Sequence, residues 1–378
     1  MSQEGYRSGV AVGLPPAMRW LALPVGIVLL VVTLLDVFRT MVIPRAFRGR
    51  YRLTRLVFLA VWRPWRWVGL RAKTQESREH ILAGAAPMGL FVLLGAWAVL
   101  TILAYALILW SPAFVHGMHG HGHGTFATAL YFSGSSLFTI GFGDVVASGW
   151  TRAVVVAEGA TGLGLVAVVI GYLPVLYQAF NRREVGVLLL DARAGSPPSG
   201  PELLRRTAGT GGFAALPDLF DYWERWAADI LETHLSYPLL VYFRSPHDST
   251  SWVTALGAVL DAATLVLAVK EAAPLHAAKM FHSTGVHAVE DLFFYFRLTE
   301  RQPMIGRDEF DDLLDELRGE GFHLRPPDEA WDRFLSYRSK YAGRLDALAL
   351  MVMAPPAQWI GDRSTVPVRV ELRAQPRH

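Results

Sequence analysis

The chain contains no cysteine, so disulfides, thiolate metal centres and cysteine nucleophiles play no part in it, and its redox compartment leaves no mark on the sequence. Charge is also sparse. Asp, Glu, Lys and Arg make up 18% of the 378 residues, against 52% hydrophobic ones, a balance more apolar than that of an ordinary soluble chain. Two further absences are local. Residues 111–151 hold no Lys or Arg, and no apolar stretch carries arginines at every third position, which argues against a voltage-sensing helix. The glycine-rich stretch Gly209–Gly212 lacks both a preceding strand and Gly-x-Gly-x-x-Gly spacing, so neither a dinucleotide-binding fold nor a calcium-regulatory domain is expected.

What is present is unevenly distributed. Apolar residues are dense before Phe180 and mixed with charge after it, so a membrane half is expected to precede a soluble half. Three stretches are long enough to cross a hydrocarbon core of about 30 Å as helices, namely 20–43, 87–110 and 153–180. Arg7 and Arg19 precede the first in the manner of a secretory signal. That run is too long for one and lacks a small-residue cleavage site, so it reads as a retained membrane helix. Residues 44–85 carry ten basic residues, from Arg45 to Arg78. The positive-inside rule therefore makes that loop cytoplasmic, the N-terminus and residues 111–151 external, and Arg182-Arg183 the cytoplasmic exit of the third helix. The composition suggests a prokaryotic inner membrane.

Four regions follow: 1–85, a membrane helix and a basic interfacial segment; 86–182, a membrane unit; 183–215, a linker rich in Gly, Pro and Ser; and 216–378, a helical cytoplasmic domain. Within the first, Leu53–Leu70 combines Arg55, Arg63 and Arg66 with Trp62, Trp65 and Trp67, the make-up of an amphipathic helix lying at anionic headgroups. The net charge of +3 is accounted for by such lipid contacts and topology, and no nucleic-acid partner is expected. In the last region, helices are expected over 220–235, 286–300, 307–318 and 329–353. Trp252–Val269 is apolar enough to suggest a further span, but Asp261 at its centre favours a buried core helix. His276, His282, His287 and Glu290 fit no single helix face and are read as structural.

The informative segment lies between the second and third apolar runs. Residues 125–138 are apolar but too short to span, and they lead into Thr139-Ile140-Gly141-Phe142-Gly143-Asp144. Non-helical backbone at membrane depth is tolerated only where protein covers it or it lines an aqueous path, so the pattern predicts a re-entrant helix and loop. Stripping water from a cation costs tens of kcal/mol unless oxygen ligands replace it, and rings of backbone carbonyls supply them. Carbonyls of successive residues face one way only where left-handed backbone recurs at alternate positions, the role expected of Gly141 and Gly143.

This motif resembles the filter of the potassium-channel family, usually Thr-Val-Gly-Tyr-Gly-Asp, with Ile140 and Phe142 as variants. The resemblance covers roughly residues 87–182, a bacterial, single-pore-loop, two-transmembrane-type pore. It implies an all-α membrane protein in which four chains surround one path and K+ binds at Thr139, Ile140, Gly141, Phe142 and Gly143. It also implies that Thr139 forms the innermost site and Asp144 stands at the outer mouth, with Tyr131 as its partner. Ser135 and Phe138 occupy places where the family often has a larger polar residue and a threonine, so bracing behind the filter is expected to be reduced. Potassium-selective, passive conduction is the function implied. The alternatives are a nonselective cation channel, or a membrane-anchored sensor or enzyme built on the C-terminal half, which shows no catalytic constellation. No organic cofactor is expected, and the ligand of the cytoplasmic domain is unknown.

Other candidates surround this motif. Glu158, inside the third apolar run, is costly unless partnered and is expected to contact the end of the short helix of its own or a neighbouring chain. Asp36 and Arg39 are placed to pair with one another. Gly162, Gly164 and Pro174 are candidates for bending during gating, with close helix packing the simpler role for the glycines. His116, His119, His121 and His123 precede the short helix, where they either form a solvated, glycine-spaced turret or titrate or hold a transition metal.

Overall fold

A computed structural model of the chain describes residues 16–42, 53–120, 122, 124–208, 212–246, 250–270, 276–301, 305–319 and 324–360. Two compact units divide it. One comprises residues 1–43, 51–58 and 90–173, the other residues 44–50, 59–89 and 174–378.

The first unit contains α1 (Pro16–Met41), the beginning of α2 (Leu53–Gly69), most of α4 (Ala85–Trp110), α5 (Phe126–Leu137) and the first half of α6 (Thr151–Ala194). α4 carries no charged residue and is apolar all round, as a helix covered by protein and lipid should be. Val37 of α1 packs with Leu93 and Trp97 of α4. The polar Asp36 is absorbed there too: its carboxylate accepts from Trp97 Nε1 at 2.9 Å and from Thr54 Oγ1 at 2.8 Å. Arg19 reaches across the unit, donating to the carbonyls of Trp110 and Gly124 at 3.3 Å. One departure from the expected all-α architecture is a two-stranded antiparallel ladder, β1 (Met118–Gly120) on β2 (Val145–Ala147), with His119 opposite Val146. Three-residue strands brought together from either side of a helix leave no periodic trace in the sequence.

The second unit holds α3 (Gln75–Ala83), α7 (Gly200–Ala208), α8 (Leu216–Ser236), α9 (Trp252–Val269), α10 (His276–Phe296), α11 (Arg307–Gly319), α12 (Pro327–Arg338) and α13 (Ala342–Val352). α9 starts at a capping box formed by Ser251 and Thr254, and every residue of it is buried within the chain. Although long and apolar enough to cross a membrane, it is the centre of a globular core to which α7, α8, α10, α12 and α13 contribute. Asp261 at its middle accepts from Arg338 Nε at 3.2 Å and Tyr341 Oη at 2.6 Å. The expected helix 329–353 is two helices, α12 and α13, broken where Tyr341 turns inward to make that bond. The helix expected to start at 286 begins ten residues earlier, at His276.

The linker expected over 183–215 is largely ordered helix instead. α6 continues to Ala194 because one face of its last turns is buried, with Val187, Leu190 and Ala194 in the core: Arg183 is 1% exposed and donates to the carbonyls of Leu240 and Phe243, both at 2.7 Å. Trp226 Nε1 returns a bond to the Arg183 carbonyl at 3.1 Å. Gly200 is tight packing rather than slack, since a Cβ there would stand 2.8 Å from Asp261 Cβ.

The four residues His276, His282, His287 and Glu290 do not converge. Glu290 pairs with Arg344 at 2.8 Å and His287 with Asp291 at 3.5 Å, while His282 is buried edge-on to the rings of Tyr337 and Tyr341. Burial, with Lys340 nearby, lowers the His282 pKa to about 4. The folded chain thus holds this imidazole neutral where the unfolded chain, near 6.5, takes up a proton. Its contribution is complete above about pH 6.5 and is lost as pH falls toward 4, a change of about 3 kcal/mol. Thermal unfolding followed from pH 7 to 4.5 is expected to show this acid loss, and His282→Phe to flatten it.

Candidate functional site

α5 is set by its ends. Thr125 caps it, accepting from Thr128 N at 3.1 Å, and twelve residues make a helix of about 18 Å, too short to cross a bilayer. Beyond Leu137 the backbone folds back on the helix. Thr139 N and Ile140 N donate to the carbonyls of Ser136 and Ser135 at 3.1 and 2.8 Å, and Gly141 N donates to Ser135 Oγ at 3.1 Å. Ser135, the small residue where a larger polar one was expected, therefore holds the start of the motif by both its carbonyl and its hydroxyl.

Within the motif, Thr139, Gly141 and Gly143 have φ of 56°, 60° and 82°, while Ile140 and Phe142 between them lie outside the left-handed region. A β-branched residue at positive φ is a genuine outlier, and such strain persists where surrounding structure over-determines it. The far end is tied by Tyr131, whose hydroxyl donates to Asp144 Oδ1 at 3.1 Å, and by Val145 N, which donates to the same oxygen at 3.1 Å. The Phe142 ring, lacking a hydroxyl, stacks on Tyr131 at 6.1 Å between centroids.

The remaining sequence candidates fall around this segment. Glu158 on α6 is fully buried and bonded to Ser133 of α5, so it does contact the short helix. Ser133 itself escaped sequence reading, because a serine 25 positions away carries no signal of pairing. Gly162 lies against the Leu137 carbonyl, where a Cβ would clash with backbone, whereas Gly164 faces open space. Gly162→Ala is therefore expected to push the end of α5 and cost about 1–3 kcal/mol as overpacking, read as lower thermal stability. Pro174 lies inside the continuous helix α6.

His116 and His119 are exposed, and His119 Nε2 lies 2.7 Å from Ser148 Oγ across the β1–β2 ladder. His121 and His123 lie outside the described residues. Among the described residues no group of three metal-ligating side chains comes together.

Residues 89–178 match a family model described as an ion channel. That match covers about a quarter of the chain and contains α5, the strained motif and Glu158. No curated protein and no solved structure matches the chain. The chain thus carries an ion-channel domain, and its helices of membrane-spanning length and apolarity accord with a membrane protein.

Proposed function

We propose that the chain is one subunit of a homotetrameric, potassium-selective channel in which the carbonyls of Thr139, Ile140, Gly141, Phe142 and Gly143 replace the hydration shell of K+. The observation that carries this reading is the alternation of left-handed backbone at Thr139, Gly141 and Gly143. Such alternation turns successive carbonyls to one side, and a continuous strip of oxygens is what a dehydrated cation needs. One chain supplies too few ligands for a closed cage. Phe138, Ile140 and Phe142 are 59%, 55% and 67% exposed in a single chain, an apolar surface that neighbouring copies would cover.

In this reading α5 is a re-entrant pore helix and α6 the inner helix, bent for gating at Pro174, which deprives the helix of a backbone hydrogen bond. The N-terminus is external, and the basic stretch and C-terminal unit are cytoplasmic in a prokaryotic inner membrane. α2 meets anionic headgroups: Trp67 is 58% exposed and the Arg71 guanidinium stands 3.2 Å over its ring. A proton or transition metal taken up by the histidine segment would act through β1 on β2, which begins directly after Asp144.

Reversal potentials of the purified protein in planar bilayers under opposed K+ and Na+ gradients test the proposal. A reversal near the K+ equilibrium value is expected. Equal permeability would replace it with a nonselective cation channel, and chemical cross-linking that stops short of four copies would remove the tetramer.

A further inference from the structure

The buried contact between Glu158 and Ser133 does not work with a carboxylate. Ser133 has a single hydroxyl proton, yet its Oγ lies within hydrogen-bond distance of two oxygens: the Ile102 carbonyl of α4, at 2.9 Å, and Glu158 Oε1 of α6. If Ser133 gave its proton to an ionised Glu158, a hydroxyl lone pair would face the Ile102 carbonyl at 2.9 Å, an oxygen–oxygen repulsion without a proton between. Glu158 is fully buried, and among the described residues its second oxygen Oε2 has no hydrogen-bond partner and no salt bridge reaches it. A carboxylate in that setting lacks every compensation that a buried charge requires.

We propose that Glu158 is a filter-positioning residue that acts as a neutral hydrogen-bond donor, giving its carboxylic proton to Ser133 Oγ so that Ser133 gives its own to the Ile102 carbonyl. Each oxygen–oxygen contact then contains one proton. The relay runs in one direction from α6 through α5 to α4 and ties three helices at one buried point. α4 and α5 carry no charged side chain. The titratable group on α4 near the site is Tyr105, whose hydroxyl pairs with Thr161 Oγ1 of α6 at 2.9 Å, a second uncharged tie between the same helices. On α5, Tyr131 is engaged with Asp144. Ser133 lies two residues before Ser135, whose carbonyl and hydroxyl hold Ile140 and Gly141, so a fixed Ser133 fixes the inner end of the filter. This inference rests on the channel reading for its functional consequence, and on the proton count alone for the state of Glu158.

Two measurements on the full chain test it. Infrared difference spectra between wild type and Glu158→Gln at neutral pH should show a carboxylic C=O band that the variant lacks. A carboxylate difference in its place would overturn the relay. In bilayers, Glu158→Gln, whose amide can still donate to Ser133, is expected to keep K+ current and selectivity within about twofold. Ser133→Ala and Glu158→Val, which break the chain of donors, are each expected to lose about tenfold in open-channel lifetime, the effect of roughly 1.4 kcal/mol. Equal damage from Glu158→Gln and Glu158→Val would also overturn the proposal. If Glu158→Val fails to fold, Ser133→Ala, which only deletes a hydroxyl, provides the same comparison. A carboxylic band in a protein that passes no current would leave the relay standing and remove the channel reading instead.

Discussion

In the proposed channel, replacing Gly141 by alanine is expected to abolish potassium selectivity, lowering the K+ over Na+ permeability ratio by more than about tenfold or silencing conduction, without preventing assembly. The added methyl would meet nothing within 4 Å, so crowding within the chain is not the cause. The cause is conformational: Gly141 stands at φ 60°, and a left-handed L-residue costs roughly 1–2 kcal/mol. The proposed tetramer would incur that cost in every subunit, about 4–8 kcal/mol in all, and relaxation would turn a ring of carbonyls away from the path.

Gly164→Ala is the matched control. That glycine also has open space but sits inside α6 without positive φ, where alanine is the better helix former by about 1 kcal/mol. It is expected to leave selectivity intact. Reversal potentials of the two variants in one bilayer series decide the matter. A selective Gly141→Ala channel would mean that the alternating backbone is not what coordinates the ion.

The second large effect belongs to the C-terminal core. Arg338→Leu is expected to destabilise that unit by about 3–5 kcal/mol, because it leaves the Asp261 charge buried without its cation. Asp261 is fully buried and Arg338 is 5% exposed. Arg338 also donates to the Trp359 carbonyl at 2.7 Å, so the same change orphans a second acceptor. For a unit of this size the melting temperature should fall by about 6–20 °C, read from tryptophan fluorescence of the full chain. Asp261→Leu combined with Arg338→Leu and Tyr341→Phe removes donors and acceptor together and should recover most of the loss. A melting point unchanged by Arg338→Leu would mean that Asp261 is held neutral or has another partner.

The membrane helices were legible because long uncharged runs have few alternative fates. The sequence bounds 87–110 and 125–138 differ by one or two residues from α4 and α5, and Asp144 has the Tyr131 partner that the motif implied. Residues 183–215 were misread for a physical reason. Gly, Pro and Ser mark a linker by composition, but Ser199 and Gly200 are buried, and a glycine selected for close approach to another helix looks the same as one selected for freedom. Helix α10 began earlier than expected because its first turns, around His276 and Lys279, mix polar residues into the apolar period. The β1–β2 ladder and the Ser133 contact depend on pairings between distant segments, which local pattern cannot carry.

The interlocking of α1 with the matched region has a consequence for modularity. The ion-channel match begins at residue 89, which invites excising the two-helix pore as a portable cassette. Trp97, inside that cassette, donates its indole N–H to Asp36, and Arg19 holds the carbonyls of Trp110 and Gly124, so cutting away α1 would strip the Trp97 indole of its acceptor and both carbonyls of the Arg19 guanidinium. A chimaera made from this protein has to carry its first helix along.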